Sequence, residues 1–219
     1  MFKYILFDFD GTIYNTVEGI TKCVQYAAEK QGFHIDPADL RSFVGPPLIP
    51  KYMSYFGMTE AQAWQALMDF RERYVPVGVY ESEPFPGVGN MLDTLIRAGK
   101  TLAISTSKPE RETRRLLERS GLTDKFRAVA GGPADGADIT KPDAVRLAMR
   151  LIGADAGNTV LVGDTVYDVE GAHEVGIPCL AVGYGYGKPE ELIGAGADYF
   201  VEKLEDIAGA LCRGNSTRS

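Results

Sequence analysis

Basic residues are in short supply in this 219-residue chain: 23 lysines and arginines face 30 aspartates and glutamates, a formal net charge of -7. That balance argues against nucleic acid as the main partner, because binding a phosphate backbone wants a basic surface. A local positive pocket for a small phosphate ester is compatible with it. Cysteine is scarce too. Cys23, Cys179 and Cys212 are far apart and odd in number, which argues against a disulfide framework or a thiolate metal site and reads as reduced thiols in the cytoplasm. No apolar run is long enough to span a membrane, and Met1–Phe7 is too short for a signal peptide. The two histidines, His34 and His173, are isolated, so neither is a good general base. No internal repeat or low-complexity tract stands out, and the polar tail Arg213–Ser219 is expected to fray.

What is there is a series of short apolar runs. Tyr4–Phe7 is continuous, as in a strand covered on both faces of a parallel sheet. Similar runs stand at Leu102–Ile104, Ala128–Ala130, Val160–Val162 and Cys179–Val182. Helical patterns lie between the later ones: Arg111–Ser120 closed by Gly121, Asp143–Ile152 closed by Gly153, and Val166–Val175 closed by Gly176. This alternation predicts an α/β fold with a doubly wound, mostly parallel, Rossmann-like sheet. The segment 16–82 breaks the pattern. Asn15 with Glu18 resembles a capping box, Ile20, Val24 and Ala27 continue at helical spacing, and Trp64, Leu67, Met68 and Tyr74 mark a second helix. The expected organisation is a discontinuous core (1–15 and 83–219) carrying an inserted α-helical cap (16–82), with Glu83–Gly87 as the return hinge.

The chemically interesting residues fall at strand ends, where open α/β sheets bind ligands. Asp8 and Asp10 in Asp8-Phe9-Asp10-Gly11-Thr12 are two apart and can project to one side. Asp164 and Asp168 are one helical turn apart after a later strand. Four carboxylates in one crevice would repel and raise each other's pKa unless a cation sits among them, and oxygen-only donors beside a phosphate favour Mg2+. Ser105-Thr106-Ser107-Lys108-Pro109 places hydroxyls beside a helix start, with Pro109 expected at the first helical position, a ready anion site. Thr140-Lys141-Pro142, after the loop Gly131–Ile139, offers a lysine as a point charge to the same anion.

Each feature has a plainer reading. Asp commonly ends strands, Thr106 and Ser107 could be helix caps, and Lys141 could be a surface charge; their order at successive strand ends makes that account hard to sustain. Gly183-Tyr184-Gly185-Tyr186-Gly187 has the wrong spacing for a dinucleotide loop and reads as a flexible loop near the crevice. Lys51, Arg71 and Arg73 read as the solvated face of the cap. Gly45-Pro46-Pro47 reads as a turn, with Gly45 a candidate substrate contact.

These segments resemble the haloacid dehalogenase superfamily of phosphatases, in its phosphoglycolate-phosphatase-like branch with a helical cap. The resemblance covers nearly the whole chain and rests on Asp8–Thr12, Ser105–Ser107, Lys141-Pro142 and Gly163–Asp168. It implies that Asp8 is the nucleophile and forms an aspartyl-phosphate, that Asp10 is the acid and then the base, and that Thr106 and Lys141 hold the phosphoryl oxygens. It implies Mg2+ bound by Asp8, the Asp10 carbonyl and Asp164, with Asp168 acting directly, through water or by orienting Lys141. Gly11 and Ser107 fall within the phosphate-binding motifs. Ile13-Tyr14-Asn15-Thr16 departs from the family, which often has Asp-Ser there. The expected substrate is a small phosphorylated metabolite, phosphoglycolate by default, with a nucleoside monophosphate or pyrophosphate as rivals; the protein is a monomer or homodimer. A β-phosphoglucomutase-type phosphomutase shares all four motifs. A receiver-like signalling domain is disfavoured, because its acidic pair comes from a different strand and it lacks the insertion.

Overall fold

A computed structural model describes residues 2–133 and 139–212. The tail Arg213–Ser219 and part of the loop Gly131–Ile139 lie outside the described residues. In chain order the elements begin with strand β1 (Tyr4–Phe7), strand β2 (Tyr14–Asn15) and helices α1 (Val17–Lys30), α2 (Leu48–Phe56) and α3 (Glu60–Tyr74). Strand β3 (Glu83–Pro84), helix α4 (Val88–Arg97), strand β4 (Thr101–Pro109), helix α5 (Glu110–Arg119) and strand β5 (Ala128–Gly132) follow. Helix α6 (Lys141–Ile152), strand β6 (Thr159–Gly163), helix α7 (Val166–Val175), strand β7 (Cys179–Val182), helix α8 (Pro189–Gly194), strand β8 (Tyr199–Val201) and helix α9 (Asp206–Cys212) complete the chain. Among the described residues no helix is long and apolar enough to cross a membrane.

The chain divides into two compact units, Met1–Ile13 with Pro84–Ser219, and Tyr14–Glu83. In the first, six strands pair in the order β5-β4-β1-β6-β7-β8, every pairing parallel. β1 is central, and Ile5, Leu6 and Phe7 are wholly buried, as a strand covered on both faces requires. Its register sets Phe7 opposite both Ile104 of β4 and Val162 of β6. The residues that follow, Asp8, Ser105 and Gly163, therefore emerge level with one another at the carboxyl edge. Leu6, Ala103, Leu161, Ala181, Val145, Val169 and Ala172 pack together beneath that edge.

Local chemistry sets the helix ends. Thr140 caps α6, accepting the Asp143 N–H at 3.3 Å, and Gly153 ends it with φ +65°. α5 starts one residue later than its Pro109 suggested: Pro109 is the last residue of β4 and the cap, not the first helical residue. Strands β2, β3 and β8 and helices α2, α4, α8 and α9 are not among the expected elements. β8 is a three-residue edge strand, too short to show a period.

In the second unit, α1 does not start on the expected Asn15–Glu18 capping box. Thr16 is the cap and its side chain makes no capping bond; Asn15 lies in β2 and accepts the Val17 N–H at 3.4 Å. Arg73 is also not a solvated charge. Its guanidinium forks onto Glu81 at 2.7 and 3.1 Å and is three-quarters covered, so it ties α3 to the returning chain. Phe33, Phe43, Tyr52, Tyr55 and Phe56 form a connected aromatic cluster, and the Lys51 ammonium lies 5.7 Å over Phe43 and Tyr55.

Gly19 of α1 approaches the chain around Gly78 so closely that an added Cβ would stand 2.1 Å from the Gly78 carbonyl oxygen. Backbone cannot step aside as a flexible side chain can. Gly19→Ala is expected to destabilise by about 1–3 kcal/mol through overpacking. Gly89→Ala, in α4, meets nothing nearer than 4.0 Å and is expected to stabilise by about 0.5–1 kcal/mol. Urea denaturation of the two variants checks both signs.

Candidate active site

The site is built where β1, β4 and β6 end. Asp8 follows β1 and is fixed by its own N–H, which donates to the Val162 carbonyl at 2.8 Å. Lys141, the first residue of α6, reaches it from the helix start. Its buried ammonium contacts Asp8 Oδ1 and lies 2.8 Å from Asp168 Oδ1 and 3.1 Å from the Ser105 carbonyl oxygen. Asp168 is also the third helical residue of α7 and closes a capping box with the cap, Thr165. Its Oδ2 accepts the Thr165 N–H at 3.0 Å and the Thr165 hydroxyl at 2.7 Å, which locks the carboxylate onto the α7 start. Asp164 is wholly buried; its Oδ1 accepts the Thr12 hydroxyl at 2.9 Å and its Oδ2 the Tyr186 N–H at 2.8 Å. Asp8, Asp164 and Asp168 each offer an oxygen, all within 4.8 Å of one another.

The fourth expected carboxylate stands outside this group. Asp10 is paired with Lys108, whose ammonium lies 3.1 and 3.3 Å from its two oxygens. That pairing depends on a bulge: four residues advance on β4 from Ser105 to Pro109 while β5 advances two, Ala130 to Gly132. Bulges re-aim side chains beside active sites. Here the interruption falls on Thr106, Ser107 and Lys108, and Lys108 is buried, not left at the surface. Nothing in the sequence singles out Lys108 as the partner of Asp10. The only signal was its place in the hydroxyl motif.

Thr106 is buried at the strand end, and its hydroxyl accepts the Lys108 N–H at 3.2 Å. Ser107 is exposed. The helix-start anion site is corrected in one respect: α5 begins three residues after Ser107 and carries Glu110 and Glu112 in its own first turn, which already offset its positive end. Gly11, with φ +91°, allows the turn after Asp10; a Cβ there would lie 2.2 Å from Asp164 Oδ2. Gly45 belongs to the second unit, in the turn before α2, exposed and with φ +105°. The Gly183–Gly187 loop is not free. Tyr184 Oη donates to the Thr12 carbonyl, and the N–H groups of Tyr186 and Gly187 donate to Asp164. His173, 3.0 Å from Asp198, has no part in this cluster.

Burial raises the Asp8 carboxyl to about 7; Lys141 opposes the shift, and the Asp168 and Asp10 charges add to it. Burial, then Asp168 and Asp8, hold Asp164 well above the ordinary carboxylate range. Burial works against the charged form of Lys141, but the Asp168 and Asp8 charges overcome it and keep the ammonium protonated. Ionised, three buried carboxylates against one buried ammonium would leave uncompensated negative charge, which is why Asp8 and Asp164 are pushed toward their protonated forms. A cation among these oxygens would relieve it, and an all-oxygen donor set suits a hard divalent ion such as Mg2+. The residues fit a cation site.

The sequence model of haloacid dehalogenase-like hydrolases matches residues 5–182 of this chain. A 5'-nucleotidase of Pseudomonas aeruginosa is 38% identical over 86% of this chain and 86% of that protein. A phosphoglycolate phosphatase of Rhodospirillum rubrum is 31% identical over 88% of this chain and 85% of that protein. The crystal structure of a predicted phosphatase from Clostridium acetobutylicum superposes with a TM-score of 0.92 at 35% identity, covering 96% of this chain and 98% of that one.

A carboxyl raised from its ordinary value to about 7 holds a proton in the folded state that the unfolded state has released. Between roughly pH 4 and 7 the native state therefore binds more protons, and stability falls with rising pH. In chelator, thermal stability should decline across that window. Added Mg2+ should raise the melting temperature by a few degrees, more at pH 7.5 than at pH 5, and Asp8→Asn should flatten the decline. Melting curves with and without chelator test this; an equal Mg2+ effect at both pH values contradicts it.

Proposed function

We propose a function from one established premise: the chain belongs to the haloacid dehalogenase-like hydrolase family. It is a phosphatase. Our reading is that it hydrolyses a small phosphate monoester through an aspartyl-phosphate on Asp8. The observation that carries this is the different treatment of two carboxylates two residues apart. Asp8 is buried and fixed by Lys141, while Asp10 keeps 17% of its side chain exposed and is held by Lys108. One is built to be an immobile nucleophile and the other to exchange a proton with a ligand.

In this mechanism an Asp8 oxygen attacks phosphorus and the bond to the ester oxygen breaks. Asp10 gives its proton to the departing alkoxide. A water molecule then attacks the aspartyl-phosphate, losing its proton to Asp10, and phosphate leaves with Asp8 regenerated. Lys141 offsets the charge of Asp8, so the carboxylate can be ionised despite its burial. Thr106, at the same strand edge, is the candidate to donate to a phosphoryl oxygen. Asp8, Asp164 and Asp168 would hold Mg2+, with the Asp10 carbonyl as the ligand implied by resemblance. Bound there, the ion would shield the nucleophile from the phosphate charge and stabilise charge on the transferring group.

The P. aeruginosa nucleotidase makes a nucleoside monophosphate the first substrate to test, with phosphoglycolate second. We assign leaving-group choice to the inserted unit, including the turn at Gly45. The relatives described above are named as hydrolases or phosphatases, which gives a mutase no support from them, and a receiver lacks such an insertion. An acidic enzyme of small phosphorylated metabolites, acting in the cytoplasm on neither nucleic acid nor membrane, fits the composition.

Asp8→Asn is expected to abolish phosphate release while leaving the melting curve that of a folded protein. Asp10→Asn should slow esters with poor leaving groups by about 10²–10⁴ and p-nitrophenyl phosphate much less. Phosphate release from nucleoside monophosphates, phosphoglycolate, sugar phosphates and pyrophosphate, with Mg2+ and with chelator, tests both; near-normal turnover by Asp8→Asn would sink the mechanism.

A further inference from the structure

The loop Gly183–Gly187 makes no chemical contribution to the mechanism above, yet it grips Asp164 at several points. The Tyr186 N–H donates to Asp164 Oδ2 at 2.8 Å, and the Gly187 N–H donates to the Asp164 backbone carbonyl at 3.1 Å. Gly185 presses so closely that a Cβ would stand 2.3 Å from the Asp164 Cβ. Tyr184 acts one step further away. Its hydroxyl donates to the Thr12 carbonyl at 2.7 Å, and the Thr12 hydroxyl donates to Asp164 Oδ1 at 2.9 Å.

Tyr184 is itself braced. Phe85 packs edge-on against its ring, centroids 5.1 Å apart at 71°, and the Phe85 N–H donates to the Ile13 carbonyl at 3.0 Å. Thr12-Ile13 and Pro84-Phe85 are the segments by which the chain leaves this unit and re-enters it. One phenol thus joins both crossing segments to the peptide whose hydroxyl aims Asp164. Burial, followed by the Asp164 charge, keeps that phenol protonated, so it remains a donor.

We propose that Tyr184 is a positioning residue for the divalent-cation site, acting on Asp164 through the Thr12 peptide and hydroxyl. Each Asp164 oxygen receives one protein hydrogen bond along this arrangement. A carboxylate held by one donor per oxygen cannot swivel, and each oxygen keeps lone-pair capacity for a cation. Partners behind a metal ligand of this kind change metal affinity by about 10–100-fold when removed. The proposal rests on the cation reading of Asp8, Asp164 and Asp168.

The test is isothermal titration of Mg2+ into the full chain without substrate, for wild type, Tyr184→Phe, Thr12→Val, Thr12→Ser and the Tyr184→Phe/Thr12→Val pair. Tyr184→Phe is expected to weaken Mg2+ binding about tenfold. Thr12→Val should weaken it at least as much, Thr12→Ser should stay near wild type, and the double variant should match Thr12→Val, because both act on one chain of bonds. Turnover of Tyr184→Phe should recover at saturating Mg2+, which a general loss of fold would not allow. Wild-type affinity in Tyr184→Phe, or fully additive losses in the double variant, would overturn the Tyr184 relay and leave the cation site standing. Should Tyr184→Phe fold poorly, wild-type affinity in Thr12→Val overturns the relay equally. A wild-type chain that takes up no Mg2+ would bring down the cation reading and this inference with it.

Discussion

Everything at the carboxyl edge depends on one electrostatic constraint: three buried carboxylates gathered round one buried ammonium. Removing a charge from water costs several kcal/mol unless it is paired, so such a cluster survives only if its geometry is fixed from outside. The fixing groups are backbone and helix starts. β1 is clamped between β4 and β6, the Val162 carbonyl holds the Asp8 N–H, Asp168 is locked by the Thr165 cap, and Lys141 is the first residue of a helix capped by Thr140. None of these supports is peculiar to catalysis. An ordinary parallel sheet, in register, delivers the charges to one place.

That explains how much of the site could be read from sequence. Apolar runs give strands, strand ends give positions, and the charged residues at those ends follow with no need of three-dimensional information. Asp8, Asp164, Asp168 and Lys141 were legible for this reason. So were α6 and α7, whose threonine and glycine boundaries are local signals. The Asp10–Lys108 pair was not legible. It depends on a bulge between β4 and β5, and the number of residues a bulge absorbs is decided by two strands together.

The Gly183–Gly187 loop failed differently. Its glycines were read as freedom of movement, whereas they mark places where other atoms come too close for a side chain, Asp164 above all. Composition alone cannot separate the two meanings. Arg73 was misread for a related reason, since its partner Glu81 is local in space but comes after the end of its helix. Helix α4 was legible and was passed over: Val88, Met91, Leu92 and Leu95 stand at helical spacing and all are buried.

Two lysines sort two aspartates that the sequence makes neighbours. Lys141 comes from the start of a helix after β5 and takes Asp8 in the interior; Lys108 comes from the bulged end of β4 and takes Asp10 nearer the surface. A single lysine between both carboxylates would tie their protonation together and leave neither role distinct. Separate partners from separate elements let burial act on Asp8 while Asp10 keeps access to a ligand's oxygen. A divided function for two identical side chains therefore follows from which strand or helix supplies each counter-charge. In this molecule that division is set by the sheet order, which places β4 beside β1 on one side and β6 with its acidic turn on the other.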